Sequence, residues 1–196
     1  QRQMCIRDRN KVWVGLSKET AHQLGTPISS LMAWMDLLES SGVDPSLLSD
    51  MNKDVNRLSV IAERFSKIGS KPEMELIYVN EVLENATEYM RRRVSDKVLI
   101  TTHLPSDAEG AMVCLSLFEW VIENLCKNAV DAMNGEGRID VYMTSEKQQI
   151  YIDIKDTGKG IARKNFKTVF NPGYTTKKRG WGLGLTLAKR IIEDYH

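Results

Sequence analysis

The chain lacks a long apolar run: no stretch of its 196 residues approaches the ~20 needed to cross a bilayer, and no secretory signal is visible. It also lacks charge of one sign. Twenty-seven Lys and Arg stand against 26 Asp and Glu, a net charge of +1, so no basic field argues for a nucleic acid or an anionic membrane. The three cysteines, Cys5, Cys114 and Cys126, are odd in number and lack metal-type spacing. The last two lie in apolar runs and read as buried free thiols in a reducing compartment. No Gly-Lys-Ser/Thr is present, which excludes the common phosphate loop, and no Gly-x-Gly-x-x-Gly opens a helix after a strand, which excludes a dinucleotide fold. There is no internal repeat. What remains is an ordinary globular composition, 42% hydrophobic and 27% charged, long enough for one large domain or two small ones. Residues 1–9 have little periodicity and read as foreign to the natural protein. The abrupt start at Gln1 and the stop at His196 after a helical pattern are those expected of a cytoplasmic fragment, with any membrane anchor in segments outside it.

The first 70 residues carry two helical patterns. Leu24, Ile28, Leu31, Met35 and Leu38 are spaced 4, 3, 4, 3 as a heptad seam that extends back through Ala21, Ser17 and Val14. In that register His22 falls off the seam and faces outward with Thr26, one turn on. Pro27 removes a backbone donor inside this helix and predicts a bend near the His. Turn residues Ser41 to Pro45 break the pattern. Met51, Val55, Leu58, Ala62 and Phe65 repeat it. The result is an antiparallel hairpin whose apolar seam one partner helix cannot cover; pairing two hairpins into a dimeric four-helix bundle covers it. The alternative is a two-helix arm packed on the chain's own second domain.

Gly69-Ser-Lys-Pro72 reads as a linker, dividing residues 1–70 from residues 71–196, where the pattern becomes mixed α and β. A helix is predicted over Asn80 to Arg93, with Asn80 as N-cap. Short strands are predicted at Val98 to Thr102 and Ala111 to Leu115, a helix over Ser116 to Met133, and a turn at Asn134 to Gly137. Arg138 to Ser145 and Gln149 to Lys155 alternate as an antiparallel hairpin. A long irregular loop precedes a closing helix from about Leu183.

Three stretches carry chemistry. Asp156 closes a buried strand, where its carboxylate can accept a bond from an exocyclic amine, and Gly158 and Gly160 let backbone approach a flat ring. Strand-to-turn junctions without a ligand look similar. Gly180-Trp-Gly-Leu-Gly-Leu185 opens straight into a helix, presenting N–H groups and the positive dipole end to a phosphate. Asn124 and Asn128 lie four apart on one face of the 116–133 helix. Their neutral oxygens suit Mg²⁺ already bound to a triphosphate, and they also suit simple surface polarity.

Together these pieces resemble the histidine kinase branch of the Bergerat-type (GHKL) ATPase superfamily, over nearly the whole chain. His22 to Pro27 looks like the H-box, Asn124 and Asn128 like the N-box, and Asp156 to Gly160 like the first glycine box. Phe166 or Phe170 resembles the F-box, and Gly180 to Gly184 the second glycine box. The resemblance implies a HisKA-type dimerisation and phosphotransfer hairpin followed by an α/β sandwich of Bergerat type that binds ATP and Mg²⁺. Asp156 would hold the adenine amino group, Asn128 would ligate Mg²⁺, and Asn124 would lie beside it on the phosphates. The segment from about Phe170 to Gly180 would be a mobile lid, with Thr175, Thr176 and Lys177 near phosphate and Gly180, Gly182, Leu183 and Gly184 cradling it. His22 would attack the γ-phosphate and pass the group to an aspartate of a response-regulator receiver domain. Thr26 matches the position that helps dephosphorylate that partner. An inner-membrane anchor would belong to the full-length protein.

Two departures matter. The residue after the His is usually acidic in this family, and here it is Gln23, which can orient the ring but cannot take its proton. Glu19, one turn earlier on the same face, is the candidate substitute, unless the imidazole attacks unaided near pH 7. Family members also continue past the last helix into strands that complete the catalytic sheet. Stopping at His196 truncates that sheet, which implies weak ATP binding or an unstable domain. An ATP-driven conformational machine of the same superfamily is the alternative, disfavoured because Glu123 points about 100° away from Asn124 around the helix. A scaffold that only dimerises is the third.

Overall fold

The computed structural model describes residues 2–70, 72–177 and 182–196, with side-chain surroundings from residue 19 onward except at 69. The chain divides into two compact units, Gln1–Pro72 and Glu73–His196. The first is a helical hairpin of α1 (Arg2–Ser40) and α2 (Pro45–Gly69). Gly42, at φ +77°, ends α1; its N–H donates to the Glu39 carbonyl and that of Val43 to the Leu38 carbonyl, so two terminal carbonyls are satisfied. Asp44 then caps α2 through the Ser46 N–H at 2.8 Å, and Pro45 takes the first helical position, where no donor is missed. That bond holds the Asp44 carboxyl below its usual range.

The heptad seam divides within this hairpin. Ala21, Ile28 and Met35 are buried from α1, as are Leu48, Val55 and Ala62 from α2, one residue per heptad on each helix. The other half of the pattern stays open, with Leu31, Leu38, Met51 and Leu58 between 37% and 47% exposed. α1 runs through Pro27 as one helix.

In the second unit, β1 (Glu75–Tyr78) leads straight into α3 (Val79–Arg91). β2 (Val98–His103), β3 (Gly110–Val113) and α4 (Leu115–Ala132) follow, then β4 (Gly137–Glu146) and β5 (Gln149–Asp156). Two short 3-10 turns, Arg163–Asn165 and Thr168–Phe170, interrupt the loop before α5 (Gly184–Tyr195). β4 is central in a three-stranded sheet, parallel to β2 and antiparallel to β5, while β1 and β3 form a separate antiparallel pair. The inward residues of the sheet, Ile100, Ile139, Val141 and Met143, share one core with Leu83 and Met90 of α3 and Phe118, Ile122 and Cys126 of α4. The strand period of two and the helix period of 3.6 thus meet in an α/β sandwich. α5 seats Leu187, Ala188 and Ile191, all buried, and packs along α4. Cys114 and Cys126 are buried free thiols, and burial pushes the Cys126 thiol up to about 11, with Glu123 adding to the shift. Among the described residues no helix is long and apolar enough to cross a membrane.

Three local expectations are corrected. Asn80 is not the N-cap of α3: the helix starts one residue earlier behind Tyr78, without a side-chain cap, because the Glu109 carbonyl accepts the Val79 N–H at 2.9 Å. β1 has no counterpart in the sequence reading. The strand expected at Ala111 to Leu115 runs from Gly110 to Val113, since Cys114 leaves the ladder as N-cap of α4 and Leu115 is already helical.

Candidate functional site: one face of the Asn helix

The polar residues singled out in the second unit converge on the C-terminal half of α4. Asn124, Asn128 and Asp131 are four and three residues apart and share one face of that helix. Asn124 is half-buried, and its Nδ2 is sealed from solvent with no hydrogen-bond partner. A buried amide donor left without a partner is costly, so this group marks a place for an acceptor.

Gly184, the first residue of α5, lies against this face. A Cβ there would come 3.4 Å from Asn124 Oδ1 and 4.0 Å from Asn128 Nδ2, so the start of α5 sits beside both amides. Leu183 is the N-cap and provides no side-chain cap bond. The first N–H groups of α5 therefore carry the dipole's positive end toward the Asn pair. Thr186 Oγ1 donates to the Phe170 carbonyl at 3.0 Å, which ties α5 to the second 3-10 turn. Phe170 is partly exposed under the Lys189 ammonium, whereas Phe166 projects outward at 55% exposure.

The loop after β5 is fastened to the C-terminal end of α4. Asp156 Oδ1 accepts the Gly158 N–H at 2.8 Å, and the Lys159 N–H donates to the Ala132 carbonyl at 3.2 Å. Gly158 is required by that crossing: a Cβ would lie 2.7 Å from the Ala132 carbonyl carbon. In the fold the neighbour this glycine packs against is the helix backbone at Ala132. Gly160 has open space around it and is demanded by its φ of +66°. Thr157, unnoticed in the sequence, pins the turn by accepting the Arg138 N–H at 3.0 Å.

Gly173 and Gly182 close the base of the intervening loop. The Gly173 N–H donates to the Gly182 carbonyl at 3.1 Å, and a Cβ on Gly182 would strike the Gly173 backbone. Within the loop, Thr175 Oγ1 accepts the Lys177 N–H at 3.1 Å across Thr176. Lys177 reaches α4: its Nζ donates to Asn128 Oδ1 at 2.8 Å and pairs with Asp131 Oδ2. Asp131 is the site residue missed in the sequence, although its place three residues after Asn128 was readable. Gly180 lies outside the described residues.

The donor set fits a Mg²⁺-bearing nucleotide. It offers neutral amide oxygens, an unpartnered buried N–H, a helix N-terminus and a lysine, the groups that hold phosphate together with a cation that prefers few protein ligands.

The first unit holds the other candidate group. His22 is exposed on α1, as are Glu19, Gln23 and Thr26. Gln23 Nε2 donates to Glu19 Oε1 at 2.6 Å, so the two side chains are joined across one helical turn.

Residues 115–196 match the family described as histidine kinase-, DNA gyrase B-, and HSP90-like ATPase. Over its whole length the chain is 27% identical to the signal transduction histidine-protein kinase AtoS of Escherichia coli (strain K12), covering 33% of that protein. Sporulation kinase A of Bacillus subtilis (strain 168) is 24% identical over 92% of this chain and 30% of its own length. The chain thus spans about a third of the length of these curated relatives. Among solved structures, the mycobacterial sensor histidine kinase MprB aligns with a TM-score of 0.56 at 22% identity, over 62% of this chain and 80% of that one. Full-length ShkA in complex with AMPPNP aligns at 0.68 and 17% identity, over 90% of this chain and 40% of that one. At such identities the structural likeness carries the fold alone, helices followed by an α/β domain. Residues 115–196 thus match the histidine kinase-, gyrase B- and HSP90-like ATPase family, and the chain as a whole is similar to histidine kinases.

Proposed function

We propose that this chain is the core of a dimeric sensor histidine kinase in which His22 takes the γ-phosphoryl group of Mg-ATP and passes it to an aspartate of a response regulator. Residues 1–70 serve as the dimerisation and phosphotransfer hairpin and residues 71–196 as the ATP-binding domain. Asp156 accepts the adenine amino group. Asn128 ligates Mg²⁺, with Asn124 beside it. Thr175, Thr176, Lys177 and the stretch Gly180, Gly182, Leu183 and Gly184 hold the phosphates.

In the transfer step a ring nitrogen of His22 forms a bond to the γ-phosphorus while the bond to ADP breaks, the electron pair staying on the ADP oxygen. The ring proton must leave. We assign the proton to Glu19, whose carboxylate accepts a bond from the Gln23 amide. The protein has little covalent work to do, and positioning with charge neutralisation supplies most of the rate. Magnesium, when bound, neutralises developing charge on the phosphates. Thr26, exposed one turn beyond His22, serves the reverse task of dephosphorylating the regulator.

The observation that carries the ATP half is the closeness of Gly184 to the Asn124–Asn128 pair, beside a sealed and unpartnered Asn124 amide. Dimerisation draws support from the open half of the heptad seam, since Leu31, Leu38, Met51 and Leu58 need a cover. The test is incubation of the chain with Mg²⁺ and ATP labelled at the γ position. Acid-labile, base-stable label on the protein supports the kinase. Label released only as free phosphate supports an ATPase instead.

A further inference from the structure

The Lys177 ammonium occupies a small cation site on α4, built from one amide oxygen and one carboxylate. Asn128 Oδ1 lies 2.8 Å from Nζ, and Asp131 Oδ2 completes the pair. An uncharged oxygen and a carboxylate on one helix face are hard donors of the kind divalent cations take. Asn128 is also the residue to which the proposed function gives Mg²⁺.

Resting on that reading, we infer that Lys177 and the nucleotide-borne divalent cation exchange at this pair, and that Asp131 is the carboxylate that holds whichever cation is present. The two cannot share the site: like charges at contact distance repel, and the Asn128 oxygen faces only one of them closely. When Mg²⁺ arrives on the triphosphate, Lys177 is released from α4, and its positive charge is drawn to the phosphate oxygens that come with the metal. Asp131 stays to counter the metal's charge, directly or through its water shell. Lys177 lies four residues beyond Gly173, whose N–H is held by the Gly182 carbonyl, so the exchange couples metal arrival to the position of residues 173–177. Asp131 acts here as a positioning residue, through the cation.

The experiment uses the full 196-residue chain and trinitrophenyl-ATP as fluorescent probe, titrating Mg²⁺ at saturating probe. Lys177→Met removes the competitor, so the Mg²⁺ concentration for half-maximal response should fall about two- to fivefold, the range of one exposed ion pair. Asp131→Asn should raise it by a similar factor. Without nucleotide, amide exchange over residues 172–177 should quicken in Asp131→Asn, since the loop loses its anchor. The swapped pair Lys177→Asp with Asp131→Lys should restore slow exchange yet keep the Mg²⁺ requirement high, because an ammonium on α4 repels the metal. A merely structural ion pair would restore both. An unchanged or raised requirement in Lys177→Met overturns the exchange, as does unchanged exchange over residues 172–177 in Asp131→Asn. A chain that binds no probe at any Mg²⁺ overturns the ATP reading together with this one, whereas normal binding with unresponsive variants overturns this one alone.

Discussion

Replacing Gly158 by Ala tests how the loop that carries Asp156, the proposed adenine-binding residue, is held. The new Cβ would sit 2.7 Å from the Ala132 carbonyl carbon and 2.8 Å from the Ala132 oxygen, whereas ordinary contact begins at 3.4 Å. The loop must therefore retreat by about 0.7 Å, the difference between 3.4 and 2.7 Å. Neither neighbour is a flexible side chain, so the loop is what gives. Overpacking of this kind costs about 1–3 kcal/mol. The retreat also stretches the Lys159 N–H to Ala132 bond, already 3.2 Å long, and losing it costs about 0.5–1.5 kcal/mol more. A total of about 1.5–4.5 kcal/mol is a large share of a domain's ~5–15 kcal/mol stability. Because Asp156 holds the Gly158 N–H at 2.8 Å, its carboxylate moves with the loop, and trinitrophenyl-ATP affinity should fall about tenfold, equivalent to about 1.4 kcal/mol. Gly160→Ala is the control. Its site is open and its φ is +66°, so it should cost only the ~1–2 kcal/mol of a left-handed backbone. Urea unfolding and probe titration of both variants decide the matter. Gly158→Ala unfolding at the wild-type midpoint with wild-type affinity would refute the reasoning.

Glu19→Gln should slow autophosphorylation of His22 about 100-fold, the lower end of what a positioned base contributes, and shift its pH profile; unchanged rates would remove Glu19 from the scheme. Gln23→Glu places an acid next to the His and should rescue a Glu19→Gln background. His196 supplies a pH-dependent clasp between α5 and the start of α4: its Nε2 accepts the Cys114 N–H at 3.0 Å, while Nδ1 donates to the Ile191 carbonyl at 3.1 Å. Burial holds its pKa below 6.5, opposed by the Ile191 bond, so the unfolded chain takes up the proton first as pH falls. The stability it gives is complete above about pH 6.5 and is lost as pH falls through the folded value. His196→Ala should therefore cost about 0.5–1.5 kcal/mol at pH 8 in urea unfolding, a difference that shrinks toward pH 5. A difference independent of pH would contradict this.

The elements visible in the sequence were those whose periodicity is long or strict. α4 and the β4–β5 hairpin stand close to their expected bounds because a buried face repeats along them at 3.6 or 2 residues. β1 was hidden because four residues after a Pro-containing linker hold too little alternation, and only pairing with β3 makes them a strand. The hairpin turn was located without its usual signal: Lys147 and Gln148 take φ of +50° and +66° with no Gly or Asn, so the strands on either side impose the turn. Asn80 misled because a capping residue type says nothing about a carbonyl 29 positions later, that of Glu109, taking the cap's place. The heptads of the hairpin predict a seam that one partner helix cannot cover, and within the hairpin only one residue in each repeat is buried. At the site, Asn124, Asn128, Asp156 and Gly184 were legible as residue types at motif spacing. The Lys177–Asp131 pair was not, since it joins residues 46 apart through a loop whose path spacing does not encode.

In the proposed reaction, phosphate from ATP ends on His22. The chain carries three histidines, His22, His103 and His196, and mass-spectrometric mapping at neutral to alkaline pH after incubation with Mg-ATP separates them. One phosphoryl group is expected, confined to the His22 peptide, lost on brief acid treatment and absent from His22→Ala and Asn128→Ala. Phosphate retained in His22→Ala, or ATP consumed with no phosphate on His22, would contradict it.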